Sequence, residues 1–206
     1  PQPCGGFRAD ECTTPASRGR FAVMAALLGL ALAANAVDCM AQDSDAARLR
    51  AYYEASTQRL QESPLGQPLV LESSEGGDLI GGEIYARVDH SIGELTQALD
   101  DPQEWCELLM LHPNTAQCQL SGEPQAPVLE IGITREIGAK DMNQLAFSLR
   151  SAPAAADYFS ADLSAPKGPM STSDYQIRVE AVALDPDSIF LHLRYSYRAA
   201  WTTRMA

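Results

Sequence analysis

Lysine is almost absent from this sequence of 206 residues: Lys140 and Lys167 are the only two, and arginine supplies the rest of the 15 basic side chains. Aspartate and glutamate together number 27, so the formal net charge is −12 at pH 7. Nucleic-acid binding needs clustered lysine and arginine for the phosphates, so this composition argues against that class of partner. Hydrophobic residues make up 46% of the chain, which is ordinary for a soluble globular domain.

The sequence also lacks the short motifs that mark common enzymes and cofactor sites. It contains no Gly-x-Ser-x-Gly elbow, no His-Glu-x-x-His motif, no Walker loop and no Rossmann fingerprint. Asp100 and Asp101 are adjacent carboxylates, but Asp101 is expected to cap a helix. We therefore expect no cofactor and no metal ion, and we assign no catalytic residue.

A second apolar run of membrane-spanning length is absent; the one such run is Phe21 to Val37. Two arginines precede it and small residues follow, which is the order of a secretory signal peptide cleaved after Ala36 or Ala41. The alternative is an uncleaved anchor, for which the run is at the short end of the required length. We expect residues 1–41 to be a leader, and the domain to be periplasmic or secreted, or else held at the inner membrane by this segment alone.

Cysteine is scarce in the part of the chain that would remain after export. Cys4, Cys12 and Cys39 precede the second cleavage position, which leaves Cys106 and Cys118 as an even pair in an oxidising compartment. We predict a disulfide between them, which would stabilise the fold by about 3 kcal/mol. The alternative is a metal or redox pair, but the spacing does not match Cys-x-x-Cys.

A pair of short helices is predicted in the middle of the chain. Ser91 and Glu94 have the spacing of a capping box, which marks the start of the first helix. Asp101 can cap the second helix and Pro102 suits its first position. His112-Pro113-Asn114 ends it, because a residue before proline is pushed out of the helical region. A loop closed by the two cysteines follows.

The remaining segments predict one further helix and a series of antiparallel strands. The helix begins at Asp43 or Ser44 and ends near Glu62, within an N-terminal helical region 42–64. Period-two alternation predicts strands at 68–72, 79–90, 128–137, 144–151, 157–164, 174–184 and 189–198, with a loop at 165–173. Gly81-Gly82 indicates a bulge or a close backbone approach.

The predicted fold class is therefore α+β: a curved antiparallel sheet with a short helix pair after its first long strand. One apolar face of the sheet needs a cover that the helix pair is too short to provide. Trp201 to Ala206 has the character of the first turn of a C-terminal helix, and we expect that helix to be truncated here.

Motifs in the helix pair and in the last two strands resemble those of uncharacterised exported bacterial proteins in the START-like superfamily (SRPBCC, or helix-grip fold). They are Trp105-Cys106, Leu109 to His112, Asn114, Cys118, Ser173-Asp174-Tyr175 and His192 to Tyr197. The similarity covers about 65–206, the expected START-like domain. It implies a cavity between the sheet and a long C-terminal helix, which takes apolar ligands such as lipids, sterols or polyketides. It implies no catalytic residue.

Three tyrosines are the first candidates for ligand contact. Tyr175, Tyr195 and Tyr197 fall on the apolar face of the last two strands. Core packing is the default role of such side chains. A cavity wall that offers phenol groups to a mostly apolar ligand is the functional alternative.

Two polar residues at the end of the helix pair are further candidates. His112 and Asn114 could line the ligand site together with His90. A histidine near a helix C-terminus more often interacts with the last carbonyl groups and the helix dipole.

The opposite face of the last strands is predicted to be solvated. His192 there accompanies Arg178, Glu180 and Arg194, which suggests cross-strand ion pairs that each contribute under about 1 kcal/mol.

Three functions are compatible with these patterns. The first is an exported carrier or sensor of an apolar small molecule, without catalysis. The second is an enzyme of the same fold that uses His112 or a tyrosine as acid or base. The third is a partner-binding module with a filled core, in which no void exceeds about 300 Å³.

Overall fold

The computed structural model describes residues 44–134, 142–152 and 155–200. The predicted leader 1–41, with its signal or anchor segment, and the predicted start of a C-terminal helix at Trp201 to Ala206 lie outside the described residues. Within the described ranges, no helix is both long enough and apolar enough to cross a membrane.

The described residues form three helices and one eight-stranded antiparallel sheet. Helix α1 covers 44–61, α2 is Ile92–Leu99 and α3 is Pro102–Met110. The strands are β1 (Leu69–Gly76), β2 (Leu79–Val88), β3 (Thr115–Glu123), β4 (Ala126–Ile133), β5 (Asn143–Ser151), β6 (Tyr158–Lys167), β7 (Thr172–Asp185) and β8 (Ser188–Ala199). Their order in the sheet is β1-β2-β8-β7-β6-β5-β4-β3. The predicted α+β class, an open curved sheet with a helix pair after β2, is confirmed and is consistent with a helix-grip fold.

The caps of the helix pair form as predicted. The backbone N of Ser91 donates to Glu94 Oε2 at 2.8 Å while the Ser91 hydroxyl accepts from the backbone N of Glu94, which completes the capping box. Asp101 Oδ1 accepts from the backbone N of Gln103 at 2.8 Å, and Pro102 occupies the first helical position. These local signals fix where both helices begin.

Trp105 and the disulfide hold the helix pair in place. The indole of Trp105 is 2% exposed, and its Nε1 donates to the carbonyl oxygen of Leu99 at 3.0 Å, which links α3 to the end of α2. The Sγ atoms of Cys106 and Cys118 are bonded, so α3 is also tied covalently to β3. The predicted disulfide is present.

The strand order explains why α2 and α3 lie across the sheet. β2 is the second strand from one edge and β3 is the opposite edge strand, so the helix pair must carry the chain across most of one face. We call the face that packs against α2 and α3 the front face. Its buried core consists of Trp105, Cys106, Leu129, Ile131, Leu145, Phe147, Leu149, Phe159, Ala161, Leu163, Ala165, Val179, Ala181 and Ile189.

Helix α1 packs on the opposite face, the back face, which the alternation in the sequence predicted to be solvated. Leu49 is fully buried, and Ala46 and Leu60 are each 3% exposed. These side chains form a second core with strand residues that include Tyr158 and Phe190. The prediction of a single apolar face was therefore wrong. The alternation in β7 and β8 concealed the second core, because its apolar members share the back face with charged residues.

Two strand predictions also need correction. β3 was predicted as a loop, because its sequence TAQCQLSGE is mostly polar and lacks a clear apolar alternation. Such a sequence suits an edge strand that is exposed along much of its length. The predicted loop 165–173 is shorter than expected, since β6 continues to Lys167 and β7 begins at Thr172.

The Gly81-Gly82 pair is a close approach and not a bulge. β2 keeps an unbroken register with both of its neighbours. A Cβ atom at Gly81 would lie 2.9 Å from Ser74 Oγ and 3.3 Å from the carbonyl oxygen of Tyr195. A side chain at Gly81 would require Ser74 Oγ to move and would press on the Tyr195 carbonyl group, which favours glycine at this position.

Candidate functional site

The part of the front face over β1, β2 and β8 is the candidate ligand surface. The helix pair packs on β3, β4, β6 and β7, so it leaves much of this part uncovered within the described residues. Leu71 of β1 is 56% exposed, and its register partner Ile84 of β2 is half-buried. Leu193 of β8, which pairs with Ile84, is half-buried as well. Three adjacent strands thus present apolar side chains that the helix pair does not bury.

The three predicted tyrosines lie together at the border of this surface, with Tyr195 and Tyr197 on β8 and Tyr175 on the neighbouring strand β7. The rings of Tyr175 and Tyr197 are stacked, with centroids 5.2 Å apart and an interplanar angle of 13°. Tyr195 lies 5.6 Å from Tyr197, and Phe147 meets Tyr175 edge-on at 6.2 Å. All three tyrosines are half-buried. The structure therefore joins them into one aromatic wall.

The turn between β6 and β7 positions the first of these rings. Tyr175 Oη and Thr172 Oγ1 are 2.7 Å apart and share a hydrogen bond. A Cβ atom at Gly168 would overlap Cε2 of Tyr175, so glycine is required for the turn to approach the ring. Met170 and Ser171 have φ values of 53° and 61°, which shows that the turn is tight and locally strained.

The phenol groups of Tyr175 and Tyr195 in this wall stay protonated at neutral pH. Burial raises the pKa of Tyr175. Burial also raises the pKa of Tyr195, and the neighbouring Tyr197 and Tyr175 raise it further. These side chains can therefore donate and accept hydrogen bonds as neutral groups, while their rings offer apolar contact area.

Bare backbone adjoins the wall at Gly82. Gly82 is the register partner of Tyr195, and a Cβ atom there would meet nothing closer than the carbonyl oxygen of Glu72 at 3.5 Å. Beside the tyrosines the surface therefore has a low stretch without a side chain, with Ile84 two residues further along β2 and Leu71 on the neighbouring strand β1. A flat apolar group could lie against this stretch.

His112 and Asn114 are not brought to the tyrosines by any contact among the described residues. Both side chains are exposed in the connection between α3 and β3, where the backbone N of Asn114 donates to His112 Nδ1 at 3.3 Å. β3 lies five places from β8 in the strand order. His90 is also exposed, and its Nδ1 is 3.5 Å from Glu94.

A separate open depression lies on the surface of the helix pair. It is lined by Glu94, Gln97, Ala98, Asp101 and Glu104. Two of its carboxylates serve as helix caps, so helix packing accounts for the feature. In the described part of the chain, no group of three histidine, cysteine, aspartate or glutamate side chains is placed to hold a metal ion.

The back face contains a buried ionic cluster where the sequence pattern predicted solvated side chains. Glu180 is 2% exposed and His192 is 5% exposed. Glu180 Oε1 accepts from Tyr158 Oη at 2.6 Å and from Arg48 Nη2 at 2.8 Å, and the latter bond ties α1 to β7. Only Arg194 keeps the exposure that was predicted for this face.

Arg178 extends this cluster toward the surface. Its Nη1 donates to Asp162 Oδ2 at 2.8 Å, and its Nη2 lies 3.4 Å from Asp45 Oδ2 of α1. Burial alone would raise the pKa of Glu180, but hydrogen bonds from His192 and Tyr158 and the charges of Arg48 and Arg178 lower it to about 2. Glu180 is therefore ionised although it is buried.

Three rings are stacked beside the ionic cluster. Tyr85 lies between Tyr52 of α1 and His192 of β8, with centroid distances of 4.1 Å and 4.3 Å. The interplanar angle between Tyr85 and His192 is 2°. A signal for this arrangement was present in the sequence, since α1 is amphipathic and its apolar stripe requires a partner surface. Strand pairing, which sets Glu180 opposite His192, was needed to locate that surface.

Several solved structures are similar to this chain, and the names of two of them refer to START or STAR-related proteins. The ZhuI aromatase/cyclase from Streptomyces sp. R1128 is 16% identical, covers 60% of this chain and 72% of its own, and has a TM-score of 0.45. A START superfamily protein from Mycobacterium smegmatis is 16% identical over 60% and 79% of the two chains, with a TM-score of 0.43. A STAR-related lipid transfer protein from Xanthomonas axonopodis is 12% identical over 64% and 75%, with a TM-score of 0.43.

No protein-family model matches the chain, and no curated protein matches it. All three TM-scores are below 0.5. The functional inference therefore rests on the chain's own geometry.

Proposed function

We propose that this protein is an exported, START-like binding protein that holds an apolar small molecule or lipid against its front face. The ligand would lie over β1, β2 and β8, between the sheet and a covering C-terminal helix. The observation that carries this proposal is the aromatic wall of Tyr175, Tyr195 and Tyr197 next to an apolar surface that α2 and α3 leave uncovered. The back face, by contrast, is closed by α1.

The chemistry of this surface matches a ligand that is mostly apolar and has one polar group. Burial of apolar area contributes about 25 cal/mol per Å², so contact with exposed Leu71 and the tyrosine rings would supply most of the affinity. Neutral phenols would orient the ligand by hydrogen bonding to its polar group. No charged side chain belongs to the aromatic wall, and an ionic ligand would find no counter-charge there.

The same surface is poorly suited to base catalysis. A tyrosine acts as a base near neutrality only if its pKa is lowered, whereas burial raises the pKa of Tyr175 and of Tyr195. His112, the other proposed acid or base, is exposed in the α3–β3 connection. We therefore infer that this surface binds a ligand and does not supply a catalytic base.

Export is part of the proposal. The disulfide between Cys106 and Cys118 supports it, because structural disulfides persist in oxidising compartments. Intact-mass measurement of the protein recovered from a periplasmic fraction would test it. A new N-terminus after Ala36 or Ala41 is expected, whereas an uncleaved chain in the membrane fraction would support the anchor alternative.

Ligand binding can be tested with a matched pair of variants in one hairpin. Leu71 on the front face is 56% exposed and Leu79, on the back face of the same β1–β2 hairpin, is 41% exposed. We would titrate the wild-type protein, Leu71→Gln and Leu79→Gln with the neutral dye N-phenyl-1-naphthylamine. Organic extracts of each purified protein would be analysed by mass spectrometry in parallel.

Leu71→Gln should weaken dye binding several-fold and reduce the extracted compound, while Leu79→Gln should match wild type. Equal binding by all three proteins, or extracts that match a buffer blank together with no dye binding, would refute the proposal. Loss of binding in both variants would mean that the dye binds non-specifically to exposed apolar side chains of the hairpin. That outcome would also contradict a ligand site on the front face.

A further inference from the structure

His192 is held between two carboxylates. Its Nδ1 lies 3.2 Å from Glu180 Oε2, and its Nε2 lies 2.9 Å from Glu83 Oε2. A neutral imidazole has one N–H and one lone pair, so it can donate to only one of these oxygens. A neutral histidine between two ionised carboxylates can therefore make only one of the two hydrogen bonds. Both contacts are hydrogen bonds only if the three groups together hold one additional proton.

The other partners of both carboxylates favour their ionised forms. Glu180 accepts from Tyr158 and from Arg48 through its second oxygen. Glu83 Oε2 also accepts from the Tyr85 hydroxyl. Each acid is thus surrounded by donors, and the additional proton is best placed on the imidazole.

We propose that Glu83 and the buried side chains of His192 and Glu180 form a proton-binding site that exists only in the folded chain. The hydrogen bonds of this site connect three neighbouring strands, because Glu83 is on β2, His192 on β8 and Glu180 on β7. Helix α1 lies against the same site, since its Tyr52 stacks on Tyr85 and its Arg48 binds Glu180. The stability of the back face is therefore tied to pH around neutrality, where an ordinary histidine loses its proton.

The electrostatic surroundings of the site come from every element packed against it. They are Glu83 and Tyr85 from β2, Arg178 and Glu180 from β7, Arg194 from β8, Tyr158 and Asp162 from β6, and Asp45, Arg48 and Tyr52 from α1. The acids Glu83, Glu180, Asp45 and Asp162 outnumber the arginines Arg48, Arg178 and Arg194. One proton on His192 balances this group, which is a second reason for the folded state to retain it.

The direction of the pH dependence follows from proton linkage. Above about pH 6.5 a histidine in the unfolded chain is deprotonated, while the folded site keeps its proton. The folded state then holds one proton more, so its stability falls as pH rises until the folded site itself releases the proton. Within that interval the unfolding equilibrium constant rises about tenfold for each pH unit.

The experiment uses the fact that the chain has three histidines. Urea unfolding of the purified protein would be followed at pH values between 6.5 and 8.5 for wild type, His192→Gln and the control His112→Gln. His112 is exposed, so its replacement should leave the pH dependence unchanged. Glu83→Gln is a milder variant, because that side chain is 34% exposed and an amide can pair with a neutral imidazole.

Wild type and His112→Gln should show the same rise of the unfolding constant with pH, approaching tenfold per unit. His192→Gln and Glu83→Gln should both lose most of that rise. If His192→Gln does not fold, Glu83→Gln and a proton NMR titration of the histidine signals decide. An unchanged slope in Glu83→Gln, or a His192 signal that titrates together with those of exposed His90 and His112, would overturn the proposal.

Discussion

Replacement of Glu180 by glutamine should destabilise the protein strongly although it changes only one atom of the side chain. Glu180 is 2% exposed and its carboxylate contacts Arg48, Tyr158 and His192. Removal of one partner from a buried ionic group costs about 3–5 kcal/mol, and the lower end of that range is expected here because Arg48 is 51% exposed and Arg178 keeps its ion pair with Asp162. We expect Glu180→Gln to lower the free energy of unfolding by that amount at pH 7.

The pKa of Glu180 gives an independent magnitude. It is lowered from 4.5 to about 2 in the folded state, which corresponds to roughly 3 kcal/mol of preferential stabilisation of the ionised form. Because the folded pKa lies below the unfolded value, this contribution is present above about pH 4.5 and is lost as pH falls toward 2. Wild type should lose about 3 kcal/mol over that range, and the variant should lack this part of the acid destabilisation.

Asp162→Asn is the matched control, since Asp162 also binds Arg178 but its side chain is 48% exposed. An exposed ion pair contributes at most about 1 kcal/mol, so this variant should remain close to wild type. Urea denaturation monitored by tryptophan fluorescence measures the stability of all three proteins. The role given to the buried ionic cluster would be refuted if the free energy of unfolding of Glu180→Gln at pH 7 were within about 1 kcal/mol of the wild-type value. It would also be refuted if the variant lost as much stability as wild type between pH 4.5 and pH 2.

Two further variants test the covalent tie and the turn beside the tyrosines. Serine at both Cys106 and Cys118 should lower stability by about 3 kcal/mol, and reducing agent should do the same to wild type but nothing to the variant. Gly168→Ala would place a methyl group in collision with the Tyr175 ring, so it should cost about 1–3 kcal/mol and weaken dye binding, as measured by urea unfolding and dye titration. Gly76→Ala, where a Cβ atom meets nothing within 4 Å, should match wild type in both assays and is the control.

The elements with strong local signals could be predicted from the sequence. The capping box at Ser91 and the Asp101-Pro102 start fixed both short helices, because helix caps act over three or four residues. The apolar alternation of β7 and β8 likewise located those strands and placed Tyr195 and Tyr197 on one face. β3 carries no such signal, since an edge strand needs no apolar face.

The candidate site could be predicted only in part, because local patterns show which face a residue is on but not which distant residues it contacts. Alternation placed Tyr175, Tyr195 and Tyr197 on a common face, and the structure joins their rings. For His112 and Asn114 the sequence shows only polar side chains near a helix end, and that pattern carries no information on their distance from β8. Contacts between residues far apart in sequence depend on strand order, and strand order was not predicted.

The burial of Glu180 and His192 shows how a correct local pattern can lead to a wrong conclusion. Charged residues alternate with apolar ones in β7, and such a face is usually solvated. Here α1 covers it, and its Arg48 accompanies an apolar stripe that includes buried Leu49. Glu180 and His192 can be buried because oppositely charged or hydrogen-bonding groups from α1 and the neighbouring strands pair with them. The polarity of each residue alone does not predict this.

The two faces of the sheet therefore play different roles. Helix α1 of the same chain closes the back face with an apolar core around Phe190 and an ionic cluster around Glu180. Among the described residues, the front face is closed only where α2 and α3 cross it; beyond them Leu71 is exposed and the tyrosines are half-buried. A surface that needs apolar contact but is not covered by the described chain is the natural place for a ligand. Because α1 fills the back face and the tyrosines lie on the front face, the proposed ligand site and the proposed proton-binding site lie on opposite sides of one sheet and can be altered separately.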